Sequence, residues 1–175
     1  MADLMKLFSE TVHNQKPSYR KGMYQCGFYT VMHHALLGEK TGASCDGRFA
    51  YTSLANSLSP TQGTDVNGPT ALINSVNKVS MQYMGNGGAL DIKFLPSYFD
   101  NQNHVQALRY LIETYFEDGG LELQINVVDS EILKKAQMEP DKYKNLVVRV
   151  SGYSAYFVNL DKELQNEIIM RTEEK

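Results

Sequence analysis

The stretch LELQINVV, residues 121–128, decides how the chain is read. Leu121, Leu123, Ile125 and Val127 fall on one side of an extended backbone, and Glu122, Gln124 and Asn126 fall on the other. A strand in a parallel sheet covered on both faces should be apolar on both. The polar row therefore faces either solvent, from an edge strand, or the wet interior of a barrel. The pattern alone leaves both open.

Working outward, Gly119 and Gly120 stop a helix expected over 104–116, with Val105, Leu108, Ile112 and Tyr115 on one face. Before it, ALDIKFLP (89–96) alternates Leu90, Ile92 and Phe94 with Asp91 and Lys93, a strand pattern. Pro69 suits a first helical residue, and Leu72, Val76, Val79 and Tyr83 continue one helical face until the Gly85–Gly88 cluster. After the central strand, Asp129 can cap a helix over 130–138, and Pro140 ends that segment. LVVRV (146–150) reads as a third strand. A last helix is expected over 161–172, with Asp161 at its N-cap and Leu160 placed for a hydrophobic staple to Leu164. Residues 23–37 read as a buried strand or short helix. Residues 38–69, rich in Gly, Ser, Thr, Asn and Pro, read as a long loop that is functional or packs on something outside the chain. Helices alternating with strands imply α/β architecture. Three or four strands are few for a closed sheet of this class, and unpaired edges recruit another chain. The organisation expected is an N-terminal arm over 1–21, suited to docking a partner, and one domain over 22–175.

Length and composition agree with a single packed domain: 175 residues, 42% hydrophobic and 21% charged. The net charge of −3 opposes a protein that tracks nucleic-acid phosphates. No apolar run approaches the ~18 residues of a membrane span. The N-terminus, MADLMKLFSETVHNQ, does not read as a secretory signal. Two cysteines, Cys26 and Cys45, make no disulfide framework and suit a reducing cytoplasm.

Few residues suggest ordinary catalysis. His33 and His34 are adjacent, so their rings diverge and do not share a metal. No phosphate-cradling glycine loop and no nucleophile-elbow motif is present. Cys26 reads as a buried, inert thiol. What remains is NLVVRVSGYSAYFVNL, residues 145–160. Val147, Val148, Val150, Tyr153, Tyr156, Phe157 and Val158 crowd Gly152, which implies a buried loop tip. A glycine that loses one α-hydrogen leaves a backbone radical shared with its flanking amides. Without a side chain, that carbon can flatten freely.

RVSGYSAYF (149–157) resembles the glycyl-radical signature of the glycyl radical enzymes, the pyruvate formate-lyase and glycerol/diol dehydratase superfamily. TGASCDGRFAYTSLANSLSPTQGTDVNGPTALINSV (41–76) resembles another segment of that family. So do KFLP, GGLELQINVVD, PDKYKNLVVRVSGY and LQNEIIMRT. Two departures are small: Cys45 sits where many members have proline, and Asn56-Ser57 replaces a frequent acidic-Gly pair. The resemblance implies the C-terminal part of a ten-stranded α/β barrel, completed by a partner chain. It implies a radical on Gly152, supported by Arg149, Val150, Ser151, Tyr153 and Ser154, with Glu122, Gln124 and Asn126 candidates for the barrel interior. No cofactor is expected to be bound. The radical would be installed by an activating enzyme, a radical S-adenosylmethionine protein with a 4Fe-4S cluster. The cysteine that receives it lies hundreds of residues before the glycine in such enzymes, outside this sequence.

The expected function is that of the small, radical-bearing subunit of a split glycyl radical enzyme, inactive alone. A large subunit would supply the cysteine and most of the barrel. The expected location is the cytoplasm, with a small-molecule substrate and neither nucleic acid nor membrane as partner. GPTALINSV and SPTQG are closer to the dehydratase, lyase and arylacetate-decarboxylase branches than to pyruvate formate-lyase, which favours C–O or C–N elimination. The alternatives are a spare part that replaces an oxygen-cleaved C-terminus and a non-enzymatic assembly subunit.

Overall fold

The computed structural model describes residues 2–16, 19, 21–171 and 173–174. Its centre is strand β1 (Ala89–Phe94), paired in parallel with β2 (Glu122–Val127) from Ala89↔Glu122 to Phe94↔Val127. Parallel neighbours need a crossover, here helix α4 (Gln102–Glu117), whose N-cap Asn101 accepts from the Asn103 N–H at 2.9 Å. On the other side β1 pairs with β5 (Glu173–Glu174), giving the order β2-β1-β5.

Both faces of β1 are buried. Leu90, Ile92 and Phe94 lie beneath α4, through Tyr115, and beneath α3 (Pro69–Val76), through Leu72, Ile73 and Val76. The opposite row, Asp91 and Lys93, is also covered. Lys93 Nζ reaches Ser130 Oγ at 2.9 Å and the Ile169 carbonyl at 3.1 Å. A second core joins α5 (Ser130–Met138), α6 (Lys162–Met170) and the antiparallel hairpin of β3 (Val147–Arg149) and β4 (Ser154–Tyr156). Leu133, Ala136, Val148, Val150, Phe157, Leu164 and Ile168 form it. Asp129 caps α5 as expected, accepting from the Glu131 N–H at 2.7 Å.

Several boundaries differ from the sequence expectation. The helix from Pro69 ends at Val76 and does not reach Tyr83. Asn77 takes the C-cap and donates through Nδ2 to Asp118 Oδ2 at 2.9 Å, and an asparagine finding a partner outside the helix favours its end. Met84, not Val79, then supplies a fully buried side chain. The row Val105, Leu108, Ile112, Tyr115 is shifted: Val105 is exposed, and Leu108, Leu111 and Tyr115 make the packed face. The last helix stops at Met170, because the chain turns extended at Arg171 to bring β5 to β1. Residue 172 lies outside the described residues.

Residues 23–32 do not form a buried strand. They make one parallel bridge, Phe28↔Gly88, and leave Met23, Tyr24, Tyr29 and Val31 exposed before the short helix α2 (His33–Gly38). Within 1–21, helix α1 (Ala2–His13) sets Phe8 edge-on to Phe28 and His13 against Tyr83. Residues 17, 18 and 20 of that arm lie outside the described residues. The 38–69 segment up to Pro69 is irregular, as expected.

Candidate functional site

The β3–β4 hairpin turns through Ser151 and Gly152, closed by the Val150 N–H donating to the Tyr153 carbonyl at 2.9 Å. Gly152 has φ +71, a left-handed conformation that favours glycine. Ser151 is buried and donates through Oγ to the Thr30 carbonyl at 3.0 Å. Tyr153 Oη lies 3.7 Å from Met32 Sδ. Residues 30–32 therefore hold one side of the turn.

The polar row of β2 holds the other. Gln124 Oε1 accepts from the Gly152 N–H at 2.9 Å and from Arg149 Nε at 3.2 Å. Gln124 Nε2 donates to the Val150 carbonyl at 3.3 Å. Asn126 Nδ2 donates to the Arg149 carbonyl at 3.0 Å, and its Oδ1 accepts from the Arg149 N–H at 3.1 Å. The edge-strand reading of this row fails for Gln124 and Asn126, which are both buried because the hairpin's backbone needs them as partners. Glu122 does not join them. Its side chain is exposed, and its carbonyl accepts from Tyr115 Oη at 2.9 Å.

Of the expected loop supports, Arg149, Val150 and Ser151 take part in this anchoring, while Ser154 is exposed and meets Arg149 Nη1 at 3.5 Å. The expected burial of the tip is not found. Val148, Val150 and Phe157 are buried beneath the hairpin, but Gly152, Tyr153 and Ser154 are exposed where it projects beyond the sheet. A Cβ built on Gly152 would meet nothing within 4 Å among the described residues. Neither cysteine bonds the hairpin. Cys26 is buried with its thiol 3.7 Å from the Tyr83 carbonyl, and Cys45 is exposed on the long loop.

A buried charged network, not foreseen from the sequence, continues onto β1 along the same sheet face, where Asp91 pairs with Gln124 and Lys93 with Asn126. Asn56 Nδ2 donates to Asp91 Oδ2 at 2.6 Å. Glu167 accepts from Arg171 Nη2 at 2.8 Å and Gln62 Nε2 at 3.0 Å, with His34 Nε2 at 3.3 Å. Burial pushes the Asp91 carboxyl up to about 6 and the Lys93 ammonium down to about 8. Burial pushes Glu167 the same way as Asp91, but His34 and Arg171 outweigh it and hold that carboxyl below its ordinary value. The cavity between these groups is about 30 Å³, room for roughly one water. The network ties the long loop to β1 through Asn56 and to α6 through Gln62. Among the described residues no cluster of three or more His, Cys, Asp or Glu could hold a metal ion.

Residues 54–158 match the family model described as "Glycine radical". The chain belongs to the glycyl radical enzyme family. A probable dehydratase of Escherichia coli (strain K12) is 42% identical over 153 residues, 87% of this chain and 19% of its own length. The trans-4-hydroxy-L-proline dehydratase of Clostridioides difficile is 39% identical over 160 residues, 91% of this chain and 20% of its own length. The glycerol-bound B12-independent glycerol dehydratase of Clostridium butyricum matches with a TM-score of 0.91 and 41% identity, over 99% of this chain and 22% of that one. The α/β architecture described above is thus a portion of a glycyl radical enzyme barrel. This chain spans about a fifth of the length of the curated relatives it matches. No helix among the described residues is long and apolar enough to cross a membrane.

Proposed function

We propose that Gly152 is the radical-bearing glycine and that this chain serves a barrel and a thiol outside the present sequence, in a large partner subunit. The observation that carries the reading is the hairpin tip: a glycine of open Cα whose N–H is held by Gln124, in a turn whose other side is held by Ser151 Oγ on the Thr30 carbonyl, within the glycine-radical portion of the chain. The two cysteines support the external thiol, since one is turned into the Tyr83 carbonyl and the other sits on a distant loop motif. Exposed Tyr29, Val31, Tyr153 and Tyr156 give the partner an apolar surface to cover.

In this reading a radical S-adenosylmethionine activating enzyme removes one hydrogen atom from the Gly152 Cα. The Cα then takes a hydrogen atom from the partner's thiol: the S–H bond breaks, the Cα–H bond re-forms, and the unpaired electron moves to sulfur. The sulfur takes a hydrogen atom from a substrate carbon. It returns one after the substrate has lost its leaving group, so the elimination consumes no external oxidant. The dehydratases among the relatives favour C–O elimination from a small hydroxylated molecule. The two free thiols suit the cytoplasm.

The test is electron paramagnetic resonance on the complex of this chain with its large subunit and activating enzyme. A doublet that collapses when glycine is supplied deuterated at Cα, and that is missing from the Gly152→Ala complex, supports Gly152. Its absence from an assembly that turns over substrate overturns the reading. A co-purified partner with its own glycyl motif would point to replacement of a damaged C-terminus, and one without it to a split enzyme.

A further inference from the structure

We propose that Gln124 is a positioning residue for the radical: by holding the Gly152 N–H it fixes the Ser151–Gly152 peptide plane and so sets how the unpaired electron is shared between Cα and that amide nitrogen. The inference rests on the assignment of the radical to Gly152.

The orientation of the Gln124 amide is dictated by its neighbours. Two donors, the Gly152 N–H and Arg149 Nε, converge on Oε1, and one acceptor, the Val150 carbonyl, faces Nε2. The flipped amide would set donor against donor and acceptor against acceptor. The anchor is buried and rooted in β2, which pairs with β1 along its whole length, while Gly152 itself stands exposed. A glycine has no side chain by which packing could orient it. Its orientation must be imposed through the backbone, and the Gly152 N–H is the group of that residue seen to be held.

The chemistry makes that bond matter. A radical on Cα is stabilised by donation from its own amide nitrogen and by withdrawal into its carbonyl. Donation depends on the angle between the half-filled orbital and the amide π system. An N–H donating to a carbonyl oxygen also raises the electron density on nitrogen. Asn126 offers an internal comparison. It anchors the neighbouring strand through Arg149 alone and does not touch the Gly152 amide.

The experiment uses the same complex, with 15N-glycine incorporated and the radical installed. Gln124→Met keeps length and apolar packing but leaves only a weak sulfur acceptor. Gln124→Glu keeps an oxygen for the Gly152 N–H and, as the protonated carboxyl, an O–H for the Val150 carbonyl. The expected result is a shifted 15N coupling and altered α-proton splitting in the Met variant, with values close to wild type in the Glu variant. Asn126→Ala is expected to lower the spin yield without moving either coupling. Identical couplings in the Met variant and wild type overturn the inference while leaving the Gly152 assignment standing. A wild-type complex that turns over without a glycyl doublet overturns both. Should the Met variant not fold, amide exchange in the wild-type complex decides. A Gly152 amide at least tenfold protected supports the anchor, and one exchanging at the free-peptide rate removes it.

Discussion

The side chain of Asn126 does for Arg149 what a neighbouring strand would do. It donates to the Arg149 carbonyl at 3.0 Å and accepts from the Arg149 N–H at 3.1 Å, and Asn126 itself is buried. Among the described residues the β3–β4 hairpin makes its ladder only internally, from Val147↔Tyr156 to Arg149↔Ser154. This side-chain clamp, with Gln124, is what joins it to the main sheet. Truncation strands two backbone groups, each costing about 1–3 kcal/mol when left without a partner. Asn126→Ala is expected to lower the unfolding free energy by about 2–3 kcal/mol, measured by urea denaturation, with faster amide exchange concentrated in residues 147–156. A loss below about 0.5 kcal/mol would show that the hairpin is held mainly elsewhere.

Gly152→Ala separates chemistry from folding. Among the described residues, apart from its two chain neighbours, the added methyl meets no heavy atom within 4 Å, so the cost is set by the left-handed φ of +71. For a residue with a Cβ that conformation costs about 1–2 kcal/mol. The variant is expected to fold and to assemble with its partner, with a small decrease in stability and no glycyl doublet. Failure of the variant to fold, or turnover equal to wild type, would contradict this.

The parts of the fold fixed by local chemistry could be read in advance. The alternation in β2 and the Asp129 cap of α5 are examples, because each depends on neighbours a few residues away. The end of α3 could not. Its apolar row continues to Tyr83, and what stops the helix is Asn77 finding Asp118, 41 positions along the chain. The site was half legible. Gly152 stood out by its surroundings, but its bond to Gln124 runs from a side chain to a backbone amide, and a backbone amide has no sequence identity. The polar row of β2 gave a signal with two readings, solvent or interior, and the hairpin supplied a third. The apolar residues crowding Gly152 suggested a buried tip. They are core beneath the hairpin, or exposed beside it in this chain, as Tyr153 and Tyr156 are. The network of His34, Asn56, Asp91, Glu167 and Arg171 draws on four separate segments, so no local pattern reports it.

Asp91 predicts a pH dependence. Burial raises its folded-state pKa to about 6, opposed by Arg171 and aided by the charges of Glu167 and Glu122. A carboxyl with a higher pKa folded than unfolded holds its proton more tightly in the folded state. Its contribution to stability is therefore greatest below about pH 4 and declines until about pH 6, above which the penalty is constant. Asp91→Asn removes the titration and keeps a carbonyl oxygen for Asn56. Relative to wild type the variant should gain stability as pH rises from 4 to 6, reaching about 3 kcal/mol at neutral pH. Thermal melts of both proteins across that range check it, and a difference independent of pH would contradict it.

Arg48 predicts a local effect. The residue is buried at 6% exposure and its guanidinium is surrounded by oxygens: Ser44 Oγ and the carbonyls of Gly42, Phe49 and Thr52. A planar fork of five donors can close such a ring, and a lysine ammonium cannot reach all of it. Among the described residues the loop's backbone-to-backbone bonds are few: Ser44 N–H to the Arg48 carbonyl, Gly47 N–H to the Ser44 carbonyl, and Tyr51 N–H to the Thr41 carbonyl. Arg48→Ala is thus expected to raise amide exchange at residues 44, 47 and 51 by at least tenfold and to open 42–52 to limited proteolysis. Arg48→Lys should fall between alanine and wild type. The β1 and β2 amides should keep their protection in both, since their ladder does not pass through this loop. Equal acceleration in loop and sheet would make Arg48 a support of the whole fold, not of the loop alone.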